Sequence, residues 1–225
     1  KLGILVTLVD LNFNRMIIPL LLKLKKASHK EIAKAQDLII RELYTIFDRA
    51  VLHGGTAIWR CYDGNRFSED IDVYLVKDVE KLNIFFLRLE QMGFKIIKKK
   101  ITTNSLYSSL QLNRTLVRFE VLFKKIKGSL KEYEAVESNF ITVYTLLPEE
   151  LIKEKVLTYL KRLKIRDLYD IFYLLRYVED KNEIKSDLRR LIDNFKNPID
   201  EKELKILIIE WLVPKAEEMF YYIKR

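Results

Sequence analysis

The sequence predicts an α+β protein, in which a mixed sheet with flanking helices is followed by an all-helical C-terminal part. Two observations carry this expectation. Short apolar runs between Val51 and Leu146 have strand length and, in places, the period of two that a half-buried strand requires. After Pro148 the apolar spacing changes to the period of an amphipathic helix. Hydrophobic residues make up 49% of the 225, so a sizeable core can form.

In chain order, Ser28-His29-Lys30-Glu31 has the form of a capping box, and Ile32, Ala35, Ile39, Leu43 and Phe47 continue it as a helix. Val51 to His53 is a short strand ending at Gly54-Gly55. Thr56 to Tyr62 is a short helix, and Asp63-Gly64-Asn65 a turn. Ile71 to Val76 is a strand, and Asp78 to Met92 a helix that stops near Gly93. Further strands are expected at Phe94 to Ile101, Ser105 to Leu112, Leu116 to Phe123 and Phe140 to Leu146. Helices follow at Glu149 to Lys164, Asp167 to Val178, Glu183 to Asn194 and Glu201 to Lys224. The expected division is an extension at 1–27, an α/β part at 28–147 and a helical part at 148–225.

Composition narrows the function classes. A single cysteine, Cys61, rules out a disulfide framework within the chain, and Cys/His zinc spacing is absent. A reducing, cytoplasmic setting is expected. The run Leu2 to Leu24 is apolar but interrupted by Asp10, Asn12, Asn14, Arg15, Pro19 and Lys23. It suits neither a membrane span nor a signal peptide, and is expected to be an extra structural layer or a contact surface. The net charge is +9. Cations cluster at Lys23, Lys25 and Lys26, at Lys98 to Lys100, at Lys124, Lys125 and Lys127, and at Lys161, Arg162, Lys164 and Arg166. Each cluster suits either a solvated surface or a polyanion.

The densest chemistry lies in HGGTAIWRCYDGNRFSEDIDVYL, from His53 to Leu75. In a strand, Ile71, Val73 and Leu75 point to one face and Asp70, Asp72 and Tyr74 to the other. Two carboxylates at i and i+2 lie about 7 Å apart at their Cα atoms. Their charges repel unless a cation lies between them, and a hard divalent ion, Mg²⁺ or Mn²⁺, meets that need. A D-x-D alone is more often a polar strand edge. The glycine pair ahead of it shifts the balance, because glycine lets a phosphate approach backbone N–H groups at a helix start.

These residues carry a resemblance. An apolar residue with Gly-Gly, followed at a distance by D-h-D, resembles the nucleotidyltransferase superfamily of the DNA polymerase β type. Leu52-His53-Gly54-Gly55-Thr56-Ala57 with Arg66-Phe67-Ser68-Glu69-Asp70-Ile71-Asp72 is similar to the AbiEii/AbiGii-type toxin family, which includes the MenT toxins. Leu151 to Lys155 and Arg166-Asp167-Leu168-Tyr169-Asp170 resemble that family's lysine-bearing helix and its R-D-x-x-D helix. The resemblance spans about Leu52 to Leu175.

It implies a nucleotidyltransferase-type sheet. It also implies a metal-dependent enzyme that moves a nucleotide from an NTP to an acceptor hydroxyl, an RNA (tRNA) end, as the toxin of a type IV-like toxin–antitoxin system. Asp70 and Asp72 would hold Mg²⁺ or Mn²⁺. Gly54, Gly55, Thr56, Arg66, Ser68, Lys155, Arg166 and Asp170 would bind the nucleotide, with bracing of the loop as the other reading of Arg66 and Ser68. The superfamily's third acid maps to Glu120, on the polar face of a strand whose other face is Val117, Phe119, Val121 and Phe123; the family more often has Asp there. On one continuous helix Lys155, Arg162 and Arg166 would share a face, with Asp167 or Asp170 orienting Arg166. An antitoxin is the implied partner, and no membrane role is expected. His29 and His53 read as structural or exposed, Cys61 as an unlikely nucleophile. Trp211 and Phe220-Tyr221-Tyr222 read as core or as stacking platforms. Two other classes stay open: a small-molecule nucleotidyltransferase, and an inactive module that binds nucleotide or partner.

Overall fold

The computed structural model describes residues 18–210 and 212–225. Residues 1–17, most of the expected N-terminal extension, and Trp211, a stacking candidate, lie outside the described residues. The elements in order are α1 (Leu20–Lys23), α2 (Ala27–Ile46), β1 (Val51–His53), α3 (Gly54–Cys61), β2 (Ile71–Leu75), α4 (Val79–Gln91), β3 (Phe94–Ile101), β4 (Ser105–Leu112), β5 (Thr115–Phe123), β6 (Ser129–Glu134), β7 (Phe140–Thr145), α5 (Pro148–Arg162), α6 (Ile165–Leu174), α7 (Lys185–Asp193), α8 (Leu204–Leu207) and α9 (Ala216–Lys224).

Among the described residues seven strands form one mixed sheet in the order β3-β4-β5-β2-β1-β7-β6. β1 runs antiparallel to β2 and parallel to β7, and β2 runs parallel to β5. Alternation sorts the faces. Ile71 and Val73 of β2, with Val117, Phe119 and Val121 of β5, point into a core closed by Ile39, Leu43, Phe85 and Leu89 from α2 and α4. On the opposite face, Val51 and Tyr74 pack with Leu151, Val156, Leu168 and Ile171 of α5 and α6. The helices therefore cover that face around β1 and β2. Arg118 and Glu120 of β5 on the same face stay partly exposed.

Two expectations are corrected and one strand is added. The capping box at Ser28 does not form: α2 begins at Ala27, with Lys26 as its N-cap, and Glu31 pairs with Lys34 at 3.0 Å. Tertiary packing sets this start, since Leu24 is buried and the His29 ring stacks on Phe67 at 3.8 Å. Strand β6 went unpredicted because Leu130, Lys131 and Glu132 are exposed and only Tyr133 and Glu134 are buried, which leaves little apolar pattern. The single helix expected from Glu201 to Lys224 is broken. α8 ends at Leu207, Ile208 bridges to Arg66, and α9 starts at Ala216 after Pro214, whose ring opposes a continuous helix. Among the described residues no helix is long and apolar enough to cross a membrane.

One buried ion pair ties α2 to α3. Arg60, 1% exposed, donates to the Asp37 carboxylate, which also accepts from the Tyr133 hydroxyl (3.0 Å) and the Val136 N–H (2.8 Å). Removing one member of such a pair strands the other without solvent. Asp37→Ala is expected to lower unfolding free energy by about 3–5 kcal/mol, read from urea denaturation. A loss below about 1 kcal/mol would mean that Arg60 finds other partners.

Candidate active site

The site starts at the β1–α3 junction. His53 is extended, and the chain turns into α3 at Gly54 with φ +71°. That angle suits glycine, and a Cβ there would overlap the Asp72 carboxylate. At Gly55 a Cβ would lie 2.6 Å from both Arg66 Nη2 and Ser68 Oγ. The sequence reading reserved the space above this glycine pair for phosphate. The protein's own side chains approach it instead: Asp72 over Gly54, and Arg66 with Ser68 over Gly55. Thr56 is buried, and its hydroxyl donates to the Asp70 carbonyl, which fixes the loop before β2 against the first turn of α3.

Strand register then lines up the polar face. His53 of β1 stands opposite Asp72 of β2, Asp72 beside Glu120 of β5, and Glu120 opposite Tyr107 of β4. The sequence placed Asp72 and Glu120 on strands; pairing makes them neighbours. Burial pushes the Asp72 carboxyl above its ordinary range, and the charge of Asp70 adds to this. Glu120 is raised by burial and by the charges of Asp72 and Asp70.

Asp70 has a different surrounding. Both its oxygens accept from Arg118, Oδ1 from Nε and Oδ2 from Nη2, each at 2.6 Å. Arg118 lay in plain view in the sequence, two residues before Glu120, but only the β2–β5 register reveals its partner. The expectation that Asp70 and Asp72 converge on one point is corrected to this extent: Asp70 is turned to a guanidinium. Among the described residues, no three His, Cys, Asp or Glu side chains are grouped so as to hold a metal ion.

Behind the acids lies a buried cluster of charges. Arg66, 5% exposed, donates Nε and Nη2 to the two oxygens of Asp170, each at 2.8 Å, and Nη1 to the Phe67 carbonyl at 3.0 Å. Lys155 Nζ lies 2.7 Å from Asp170 Oδ2 and 3.4 Å from Asp167 Oδ1. Arg162 closes the group with two bonds to Asp167, at 2.7 and 2.8 Å. Burial opposes the charge on Asp170, but Arg66 and Lys155 outweigh it and hold the carboxyl below its ordinary range. Of the two readings of Arg66, the geometry matches bracing.

The common face proposed for Lys155, Arg162 and Arg166 is corrected. α5 ends at Arg162, and Leu163 turns left-handed at φ 51°. Arg166 therefore sits on α6. Among the described residues it makes no ion pair; Asp167 and Asp170 serve Arg162, Lys155 and Arg66 instead.

One family model, described as the nucleotidyl transferase AbiEii toxin of a type IV toxin–antitoxin system, matches residues 38–212. The chain belongs to this family. It is an AbiEii-type nucleotidyltransferase. Among solved structures it resembles MenT4, a nucleotidyltransferase toxin from Mycobacterium tuberculosis H37Rv, at 17% identity, over 88% of this chain and 84% of that one, with a TM-score of 0.61. It also resembles JHP933 from Helicobacter pylori, at 19% identity, over 88% and 91% of the two chains, with a TM-score of 0.60. At these identities the likeness is one of fold. No curated protein sequence matches the chain.

Two features of this AbiEii-type chain escaped the sequence reading. His53 stacks on Tyr74 at 4.0 Å between ring centres, and its Nδ1 lies 3.2 Å from Glu154 Oε2. The Tyr74 hydroxyl donates to the other oxygen of Glu154 at 2.5 Å. His53 thus has an aromatic and an acidic partner beside Asp72, neither visible from spacing. Cys61 and Phe220 stay outside the site. Burial pushes the Cys61 thiol up to about 12, and Phe220 stacks on Phe195 at 3.6 Å as part of the packing.

The acid row has a measurable cost. A carboxyl whose folded pKa lies above its unfolded value binds protons more tightly in the native state, so it subtracts stability once pH exceeds the unfolded value. Asp72→Asn is therefore expected to raise the melting temperature at neutral pH in metal-free buffer. The advantage should shrink to nothing as pH falls through the ordinary carboxylate range, where Asp72 is protonated in both states. An advantage that persists at low pH would assign the effect to packing against Gly54 rather than to charge.

Proposed function

We propose that this AbiEii-type chain is a metal-dependent enzyme that transfers a nucleotide from an NTP to the hydroxyl at an RNA end, a tRNA end being the expected acceptor. Its proposed setting is the cytoplasm, as a toxin neutralised by an antitoxin partner. The observation that carries the reading is the placement of Asp72 beside Glu120, with Asp70 two residues before, at the foot of the Gly54–Gly55 helix start.

The donor chemistry fits Mg²⁺ or Mn²⁺. Asp70, Asp72 and Glu120 offer hard oxygen atoms, and burial with the charges of neighbouring carboxylates raises Asp72 and Glu120, a cost that a bound cation would offset. Asp70, Asp72 and Glu120 would hold the ion, with Asp70 released from Arg118. A bound divalent ion supplies charge neutralisation at the phosphates and the acceptor oxygen. Glu120, at the exposed end of the row, is placed to accept the acceptor hydroxyl's proton. The acceptor oxygen bonds to the α-phosphorus, the bond from that phosphorus to the bridging oxygen breaks, and pyrophosphate leaves.

In this reading Gly54 and Gly55 let Asp72, Arg66 and Ser68 close on the start of α3 beneath the triphosphate, and buried Thr56 fixes the loop before β2. Lys155 supplies positive charge behind it while Asp170 holds Lys155 and Arg66 in place. Arg166 stays a nucleotide-binding candidate, with no acidic partner among the described residues to orient it.

The test combines labelled NTPs, total tRNA and purified protein. Wild type is expected to label RNA. Asp72→Asn and Asp70→Asn should lose at least about a hundredfold in rate, given the several kcal/mol that one well-placed electrostatic group supplies, with an unchanged circular dichroism spectrum. Expression of the wild type should slow growth and Asp72→Asn should not. Labelling of a small hydroxyl compound but of no RNA would transfer the assignment to a small-molecule nucleotidyltransferase. Labelling of nothing, with NTP still bound, would leave a binding module.

A further inference from the structure

The sheet carries a strongly one-signed wing next to the acid row. From Gln91 to Phe119 the chain has no Asp or Glu, although 32 acids occur among its 225 residues. The same stretch holds Lys95, Lys98, Lys99, Lys100, Arg114 and Arg118. It folds into β3, β4 and most of β5, at one end of the sheet. Register decides which cations face the site. Lys95, Lys98 and Lys100 stand opposite Gln111, Ser109 and Tyr107, and Ser109 and Tyr107 stand opposite Arg118 and Glu120. Lys98 and Lys100 therefore share the face of Glu120 and are exposed, whereas Lys99 points to the other face, over the Phe86 ring at 4.2 Å. Tyr107 is half-buried between them and Glu120, with the Lys98 ammonium 5.0 Å from its ring centre.

Lysines also blunt sheet edges against pairing with other chains. That role does not require a stretch free of acids, and surfaces shaped for solubility mix both signs. Nor does it place an aromatic ring directly beside the outermost acid of the row.

We propose that the β3–β4–β5 wing is the docking surface for the acceptor strand: Lys98 and Lys100 contact phosphates of a single-stranded RNA, and its terminal base stacks on Tyr107. A base seated there brings its own ribose hydroxyls beside Glu120, since directly paired residues on neighbouring strands lie about 5 Å apart. Stacking on an aromatic ring combined with cations along the backbone is how single strands are held without sequence readout. The inference rests on the nucleotidyltransferase reading above and adds where the acceptor lies.

The test measures binding of a fluorescent single-stranded RNA oligonucleotide to the full chain over a range of salt, without NTP. Lys98→Glu with Lys100→Glu is expected to raise Kd about tenfold or more and to flatten the slope of log K against log salt by about 1.4, for two lost phosphate contacts. Tyr107→Ala should weaken binding several-fold and Tyr107→Phe should not. Exposed Lys202→Glu with Lys205→Glu serves as the control and should bind like wild type. All variants should bind NTP normally.

A Lys98/Lys100 variant within twofold of wild type, or no weaker than the control pair, overturns the inference. Displacement of the RNA by polyglutamate as effectively as by unlabelled RNA, with no effect of Tyr107→Ala, overturns it in favour of an acidic protein. Labelling assays separate the two levels. If wild type labels RNA and the Lys98/Lys100 variant labels it equally well, the docking surface is wrong and the nucleotidyltransferase reading stands. If wild type transfers nucleotide only to a small molecule, the RNA reading itself falls.

Discussion

The buried pair between Arg66 and Asp170 is the interaction on which the site depends. Arg66 belongs to the loop that leads into β2, Asp170 to α6, and their two bonds of 2.8 Å join segments 104 residues apart. The guanidinium also reaches the space over Gly55, and Lys155 shares the same carboxylate. Neither ion has solvent to fall back on, so each depends on the other for compensation, and loss of either leaves a buried charge. This one contact holds the loop of Ser68 and Asp70 against the start of α3 and brings Lys155 up behind the acids.

The acid row shows the opposite economy of charge. Arg66 and Asp170 lower each other's energy. Burial opposes the charge on both Asp72 and Glu120, neighbouring carboxylates add to it, and both carboxyls are pushed above their ordinary range. The fold tolerates this strain because the row sits on three hydrogen-bonded strands whose other face is packed against α2 and α4. Arg118 pairs with the remaining acid, Asp70, and in doing so occupies a carboxylate that the proposed metal ion would need. In the proposed reaction, charge at this site is exchanged between a protein guanidinium and a cation, rather than created.

The helices after Pro148 cover the polar face around Val51 and Tyr74, while the β3–β5 end stays open with its excess of lysine. A nucleotide arriving from the helical side and an acceptor from the open end would meet at Glu120. That division of access follows from where the helices stop, not from any property of the acids themselves.

The sequence by itself determined most of the strands, the change to helices at Pro148, and the places of Gly54, Gly55, Asp70 and Asp72 along them, because these rest on local rules: period, turn chemistry and side-chain alternation. Their reading as a site, and the sheet type, came with the family resemblance. Glu120 was legible for the same reason, as a lone acid in an apolar strand. Only the tertiary structure decided which of them meet. Register put His53, Asp72 and Glu120 in one row and gave Asp70 to Arg118, and packing gave Asp170 to Arg66 instead of Arg166. It also ended α5 at Leu163, broke the last predicted helix where Ile208 bridges to Arg66, and made a strand of the polar β6 by pairing it with β7. Each of these is a contact between residues far apart in the chain, and such contacts leave no local pattern to read.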